Sequence, residues 1–271
     1  MRISATQRND AVESLLGDIE EKQGNFIEAA AHLQAAAKIN PSENNIYAWA
    51  VELLRHWSWQ PASEVARYGI QQFPSSQRLQ MANGVASFGD GKYAEAAAAF
   101  GSLLTLEPDS ENYGGLLGRS CAALGGASAP QCASLVAFAQ KHPRNAQASV
   151  YAAITLLHQS GAEPQNLNTA QQLLLQAIQT DPTLAEAYYQ LGVIQQQRLQ
   201  WNESAASLQK AIQLRPAFTE AHYRLARAYS HTGRTDDAQK EIALQQKFSQ
   251  QEKQENDAKL KEITTFLIAP N

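Results

Sequence analysis

The chain has 271 residues, 44% of them apolar, and a formal net charge of −4 with a sequence pI near 5.9. No basic block accompanies that balance, so nucleic acid is not expected as a main partner. No apolar run approaches the ~18 residues a membrane span requires, so direct membrane insertion is not expected either.

In chain order, the first regularity is a ladder of six prolines: Pro41, Pro74, Pro108, Pro143, Pro182 and Pro216, with gaps of 33, 34, 35, 39 and 34 residues. Proline clashes with a helix interior and pushes the preceding residue out of the α region, so each one ends a helix. Twelve residues before each proline stand Ala29, Ala62, Ala96, Gln131, Ala170 and Ser204. Eight before stand Leu33, Ala66, Phe100, Leu135, Leu174 and Leu208, and five before stand Ala36, Gly69, Leu103, Phe138, Ala177 and Ala211. That alternation of small and large at helical spacing describes a face packed closely on a neighbour. An earlier register puts Gly17, Gly84, Gly118 and Gly192, with Ala153 and Ala226, in the middle of a preceding helix. Glycine there is unfavourable by about 1 kcal/mol relative to alanine, and a tight helix–helix approach is the compensation.

The pattern therefore predicts helical hairpins at about 10–41, 43–74, 77–108, 111–143, 146–182 and 185–216, and a seventh, 219–245, that lacks its closing proline. The fourth departs from the rule by holding Gln131 where a small residue is usual. The fifth carries about five extra residues, SGAEPQNL, between its helices. Insertions in repeat proteins fall on loops of one face, and this one reads as decoration ahead of a recognition element. Residues 246–271 read as a continuing helix that caps the array or projects from it, as terminal repeats require a polar outer face. Leu260, Ile263, Phe266 and Leu267 form an apolar stripe near its end. Fold-back onto the seventh hairpin, pairing with a second copy, and docking on a partner are the three uses of such a stripe, fold-back being the most economical.

These residues resemble the tetratricopeptide repeat family, most closely in QLGVIQQQRLQWNESAASLQKAIQLRP (190–216) and LLGDIEEKQGNFIEAAAHLQAAAKINP (15–41). The resemblance covers roughly residues 10–245. It implies an all-α, right-handed superhelical solenoid of about seven helix-turn-helix hairpins plus a long C-terminal helix. It also implies a concave groove, lined by the first helix of each hairpin, in which a protein or peptide is held. Projected onto this sequence, the groove candidates are Asp18, Glu21, Glu52, Arg55, Met81, Val85, Phe88, Gly115, Arg119, Glu186, Tyr189, Gln196, Tyr223, Arg224, Arg227 and His231. Tyrosine and arginine are enriched at binding hot spots, so Arg224, Arg227 and His231 beside Tyr189 and Tyr223 suit a carboxylate or acidic peptide. The competing reading is an ordinary solvated helix face. The chaperone-tail carboxylate clamp known in the family is missing, because Ser14 and Asp18 stand at its positions. The asparagine ladder of the glycosyltransferase-type arrays is missing too, with Leu15, Ala82, Leu116 and Gln190 in its place.

Phe26, Trp59, Tyr93 and Trp201, each fifteen residues before a closing proline, form a column at the start of the second helices. A column in that phase seals the hairpin turn and staples adjacent repeats; Trp57 lies outside it and is left open. The histidines fall in no metal spacing, and no nucleophile elbow, phosphate loop or paired-carboxylate motif is present. No catalysis, cofactor or metal is therefore expected. Asn202-Glu203-Ser204 matches a glycosylation acceptor, but Asn202 reads better as a helix N-cap.

Cys121 and Cys132 stand on opposite arms of the fourth hairpin, whose turn is expected near Gly125–Ala127. Their mirrored positions are compatible with a disulfide, preferred here over two buried thiols. A bridge favours a periplasmic or secreted location. MRISATQRND has no apolar core, which admits either a mature exported chain or a cytoplasmic one. The expected function is a non-catalytic scaffold for a protein or peptide partner in a bacterial envelope or secretion-related assembly. Two alternatives remain: a structural module that forms a homodimer through the C-terminal helix, and an accessory domain of a larger enzyme.

Overall fold

A computed structural model describes residues 9–125, 129–158 and 164–268, with the side chains of 256–268 left aside. The tip of the fourth hairpin beyond Gly125, the first part of the SGAEPQNL insertion and the apolar stripe Leu260, Ile263, Phe266 and Leu267 therefore lie outside the description. The described residues form fourteen α-helices, one 3-10 turn and no strands. Two compact bodies divide the chain, residues 1–141 and 142–271.

The first body holds four hairpins: α1 (Asp10–Gln23) with α2 (Phe26–Ile39), α3 (Glu43–Arg55) with α4 (Trp59–Gln72), α5 (Gln77–Gly89) with α6 (Tyr93–Leu106), and α7 (Glu111–Ala123) with α8 (Ser134–Lys141). The second holds three: α9 (Ala146–His158) with α10 (Pro164–Thr180), α11 (Ala185–Gln197) with α12 (Trp201–Leu214), and α13 (Thr219–His231) with α14 (Thr235–Ile268). Within each body every helix packs on the next in sequence, the arrangement of an all-α repeat solenoid.

Each ladder proline sits two residues beyond the last residue of a second helix, at Ile39, Gln72, Leu106, Lys141, Thr180 and Leu214. The intervening residue leaves the helical region, as at Asn40 (φ −136°, ψ 99°) and Arg215 (φ −135°, ψ 88°), because the proline ring forbids it that conformation. In several repeats the next first helix is then capped from the same linker. Ser42 Oγ accepts from Asn45 N–H, Ser76 Oγ from Leu79 N–H, and Asn145 Oδ1 from Ala148 N–H, each worth about 1 kcal/mol.

The small-and-large register is the core. Ala29, Ala62, Ala96, Ala170 and Ser204 are fully buried, as are Leu135, Leu174 and Leu208. In three hairpins the large residue eight before the proline rests on the register glycine of its own first helix. A Cβ placed on Gly17 would stand 2.8 Å from Leu33, one on Gly192 2.7 Å from Leu208, and one on Gly84 2.5 Å from the ring of Phe100. Even Gln131, the exception in the series, obeys the same rule: its side chain lies 2.7 Å from where a Cβ on Gly101 of the preceding repeat would be.

Two sequence expectations need correction. Cys132 is not in a regular second helix: Pro130 opens a 3-10 turn, Pro130–Ala133, and α8 that follows has only eight residues. The Sγ atoms of Cys121 and Cys132 nonetheless lie at bonding distance, with Cα atoms 5.7 Å apart. Asn202 is not an N-cap, since α12 already starts at Trp201 and Gln200 occupies the cap without a side-chain bond. The column aromatic, not the polar residue after it, fixes where the helix starts.

Every described hairpin turn of this type places one residue in the left-handed region, two positions before the second helix. Gly24, Gly91 and Gly233 fill it in three repeats, but Trp57 (φ 59°) and Leu199 (φ 60°) fill it in two others. A side chain in that conformation costs roughly 1–2 kcal/mol, and neither residue recovers it by burial, Trp57 being 56% and Leu199 70% exposed.

The close approach is testable at Gly84. Alanine gains about 1 kcal/mol of helix propensity there, but its Cβ meets a rigid ring, and overpacking of a dense core costs about 1–3 kcal/mol. Gly84→Ala is expected to lower stability in urea denaturation, and Phe100→Leu in the same chain to recover part of the loss.

Candidate functional site

In the second body, α11 and α13 carry a polar network built from three of the projected groove residues. Arg224 Nε donates to Tyr189 Oη at 3.2 Å, and Arg224 Nη1 to Gln196 Oε1 at 3.3 Å. Gln196 Nε2 returns a bond to the Arg224 carbonyl at 2.8 Å. Gln196 is buried, so it positions the arginine and does not offer its own side chain to a ligand. Tyr223, 55% exposed, and Arg227 lie on the outer face of α13, one turn apart. Among the described residues neither Arg224 nor Arg227 is paired with a carboxylate.

Beside this face lies a cleft of about 560 Å³ lined by Glu186, Tyr189, Arg215, Phe218 and, from α14, Phe248 and Glu252. Its arginine is already engaged: Arg215 lies 3.3 Å from the Phe218 ring centroid and donates to Glu186 Oε2 at 3.1 Å. Outside the cleft's lining, His222 is fully buried, with Nδ1 2.6 Å from Glu241 Oε2 and Nε2 2.9 Å from the Pro216 carbonyl. Phe248 of α14 stacks on that imidazole at 5.4 Å.

In the first body, Glu52 and Arg55 behave differently from a free groove lining. Glu52 is only 2% exposed and its Oε1 makes no hydrogen bond. Arg55 Nη1 reaches its Oε2 at 3.4 Å. His56 Nε2 lies 3.0 Å from Glu21 Oε2 and 3.4 Å from Glu52 Oε1. Burial pushes the Glu52 carboxyl above the usual range, helped by the facing Glu21 carboxylate. Burial works the same way on Glu21, but the Glu52 and His56 side chains and the charges of His56 and Arg55 hold it below its ordinary value. The two carboxyls are thus pushed in opposite directions, Glu52 up and Glu21 down. The sequence contained part of this signal, since Glu52 and His56 are four apart on one helix; Glu21 comes from a different helix.

The remaining candidates are scattered. Met81 is half-buried, and Phe88 packs edge-on against Tyr93 at 5.2 Å. His231 stacks on Trp201 at 3.7 Å with nearly parallel planes, and Phe26 stacks on His56 at 4.0 Å. Trp59 likewise rests against Gly89. Phe26, Trp59 and Trp201 thus each touch the residue thirty positions later, at the end of the next first helix. That contact staples consecutive repeats, and it takes His231 out of the open face.

The tetratricopeptide repeat family profile matches residues 197–255, spanning α12, α13 and the start of α14. The matched segment is tetratricopeptide-like, and the helical hairpins that precede it share its architecture. Among solved structures, a tetratricopeptide repeat protein from Parabacteroides merdae is similar at 11% identity with a TM-score of 0.62, covering 88% of this chain and 93% of that one. MamA is similar at 21% identity (TM-score 0.49; 63% and 96% covered). Human IFIT1, solved as a dimer with PPP-AAAA, is similar at 17% (TM-score 0.49; 85% and 58%). No curated protein matches the sequence. At these identities the likeness is one of fold; the tetratricopeptide repeat match suggests a protein-interaction scaffold. Among the described residues, no helix of this repeat protein is long and apolar enough to cross a membrane.

The Glu52 assignment has a sign that can be measured. A carboxyl whose folded-state pKa is raised contributes stability that is present below its unfolded value and lost as pH rises through the folded one. Glu52→Gln, permanently neutral, is expected to match the parent near pH 4 and to be the more stable chain near pH 8 in chelator-treated buffer. Urea denaturation at the two pH values checks it.

Proposed function

We propose that this chain is a non-catalytic scaffold that holds an acidic protein segment along the α11–α13 face. The observation that carries this reading is the pair of guanidinium groups on α13, Arg224 and Arg227, that lack a carboxylate partner among the described residues and flank an exposed tyrosine. Arg215 of the neighbouring cleft supports it by contrast, because its charge is already answered by Glu186. Arg224 is held in place by Tyr189 and Gln196 before any partner arrives, so little side-chain entropy is lost on binding. A guanidinium fork fits a carboxylate bidentately, and the adjacent tyrosine supplies rigid contact area.

Mutation of such pre-positioned anchors changes dissociation more than association. Tyr223→Ala combined with Arg227→Ala is expected to cut retention of acidic partners in crosslinked pull-downs while leaving helicity unchanged by circular dichroism. Equal yield from parent and variant would remove this face from consideration.

An exported, oxidising compartment, as in a bacterial envelope or secretion-related assembly, is part of the same proposal, supported by the Cys121–Cys132 geometry. A bridge closing so short a loop stabilises by about 3 kcal/mol in the chain-entropy picture. Titration of the denatured, unreduced protein is expected to find no free thiol, and reductant to lower the thermal midpoint; two free thiols would argue for the cytoplasm.

A further inference from the structure

We propose that Glu21, Glu52 and His56 form a divalent-cation site of the zinc type, with one coordination position left for water or for an oxygen of a partner. This is independent of the α13 face, which lies in the other body.

Three ligand atoms from two helices converge there: Glu21 Oε2, Glu52 Oε1 and His56 Nε2 all lie within 4.8 Å of one another. Around an ion with bonds of about 2.1 Å, tetrahedral ligands stand roughly 3.4 Å apart. Two of the observed separations, 3.0 and 3.4 Å, already fit, and the carboxylates need only a modest closing movement.

The second, independent observation is Glu52 itself. A carboxylate this buried has every reason to satisfy both oxygens, yet Oε1 makes no hydrogen bond and points at the other two ligands. Its companion oxygen is held from behind by Arg55 Nη1, which aims Oε1 inward. Phe26 stacks on the His56 ring and fixes its plane. These are the roles that supporting residues play around metal ligands. A cation also answers the electrostatics: two carboxylates at close range, one buried, are better served by a divalent charge than by a shared proton. One imidazole with two carboxylates suits zinc and neighbouring first-row ions more than magnesium or calcium, which prefer all-oxygen shells. Glu21 and His56 remain partly exposed, which leaves an entry path.

The test uses the full chain, treated with chelator and titrated with Zn²⁺ by calorimetry, with Co²⁺ as a spectroscopic probe. One ion per chain is expected, with visible d–d absorption of low-coordinate Co²⁺. Glu52→Gln and His56→Gln should each weaken binding by about tenfold or more, while Asp237→Asn at a surface ion pair should leave it unchanged. The proposal is overturned if the parent takes up no Zn²⁺ at micromolar concentration, or if both ligand variants bind as the parent does. Should a variant lose helicity, the decision passes to the parent loaded with Co²⁺. Paramagnetically shifted proton resonances from a single imidazole support the site, and their absence rejects it.

Discussion

The fold depends on how closely the two helices of a hairpin approach. In four described repeats a glycine in the first helix faces a leucine or phenylalanine of the second, leaving no room for a Cβ between them. Dispersion and apolar burial are gained over the whole length of that contact. Once the approach distance is set, the rest of the repeat is constrained: the second helix must stop where it meets the next repeat, and the proline two residues beyond makes the stop sharp. Gln131 illustrates the constraint. A long side chain is admitted at a small-residue position because Gly101 of the neighbouring repeat gives up its own Cβ.

That packing also decides what remains for recognition. The inner registers and the column aromatics are consumed by contacts within and between repeats, and His231 and His56 are drawn in as stacking partners. Tyr223 and Arg227, exposed on a first helix, stay outside that packing. The two body-specific features differ in kind. The α11–α13 face presents positive charge already oriented by neutral partners, whereas the α1–α3 cluster concentrates negative charge around one imidazole.

The C-terminal helix joins these themes. α14 begins as the second helix of the seventh repeat and continues without interruption to Ile268, because no proline follows where the ladder would require one. Glu241 and Phe248 on it fix the buried His222 from two sides, so its first turns belong to the repeat core while residues 249–255 face water.

The period and the buried register were legible in the sequence because each follows from local rules: proline stops helices, and helical spacing defines a face. Left-handed turns at Trp57 and Leu199 were not legible, since those residues disfavour that conformation and only the hairpin geometry enforces it. Nor was the burial of Gln196 and Glu52, which look like surface residues on their own helices. Glu21 meets Glu52 and His56 across more than thirty residues, at a point set by the offset between two stacked helices. By itself, the sequence determined which residues form each helix and which face is packed. The tertiary structure alone decided which side chains from different helices converge, because that depends on interhelical distance and rotation to within about an ångström, and no spacing along the chain encodes those.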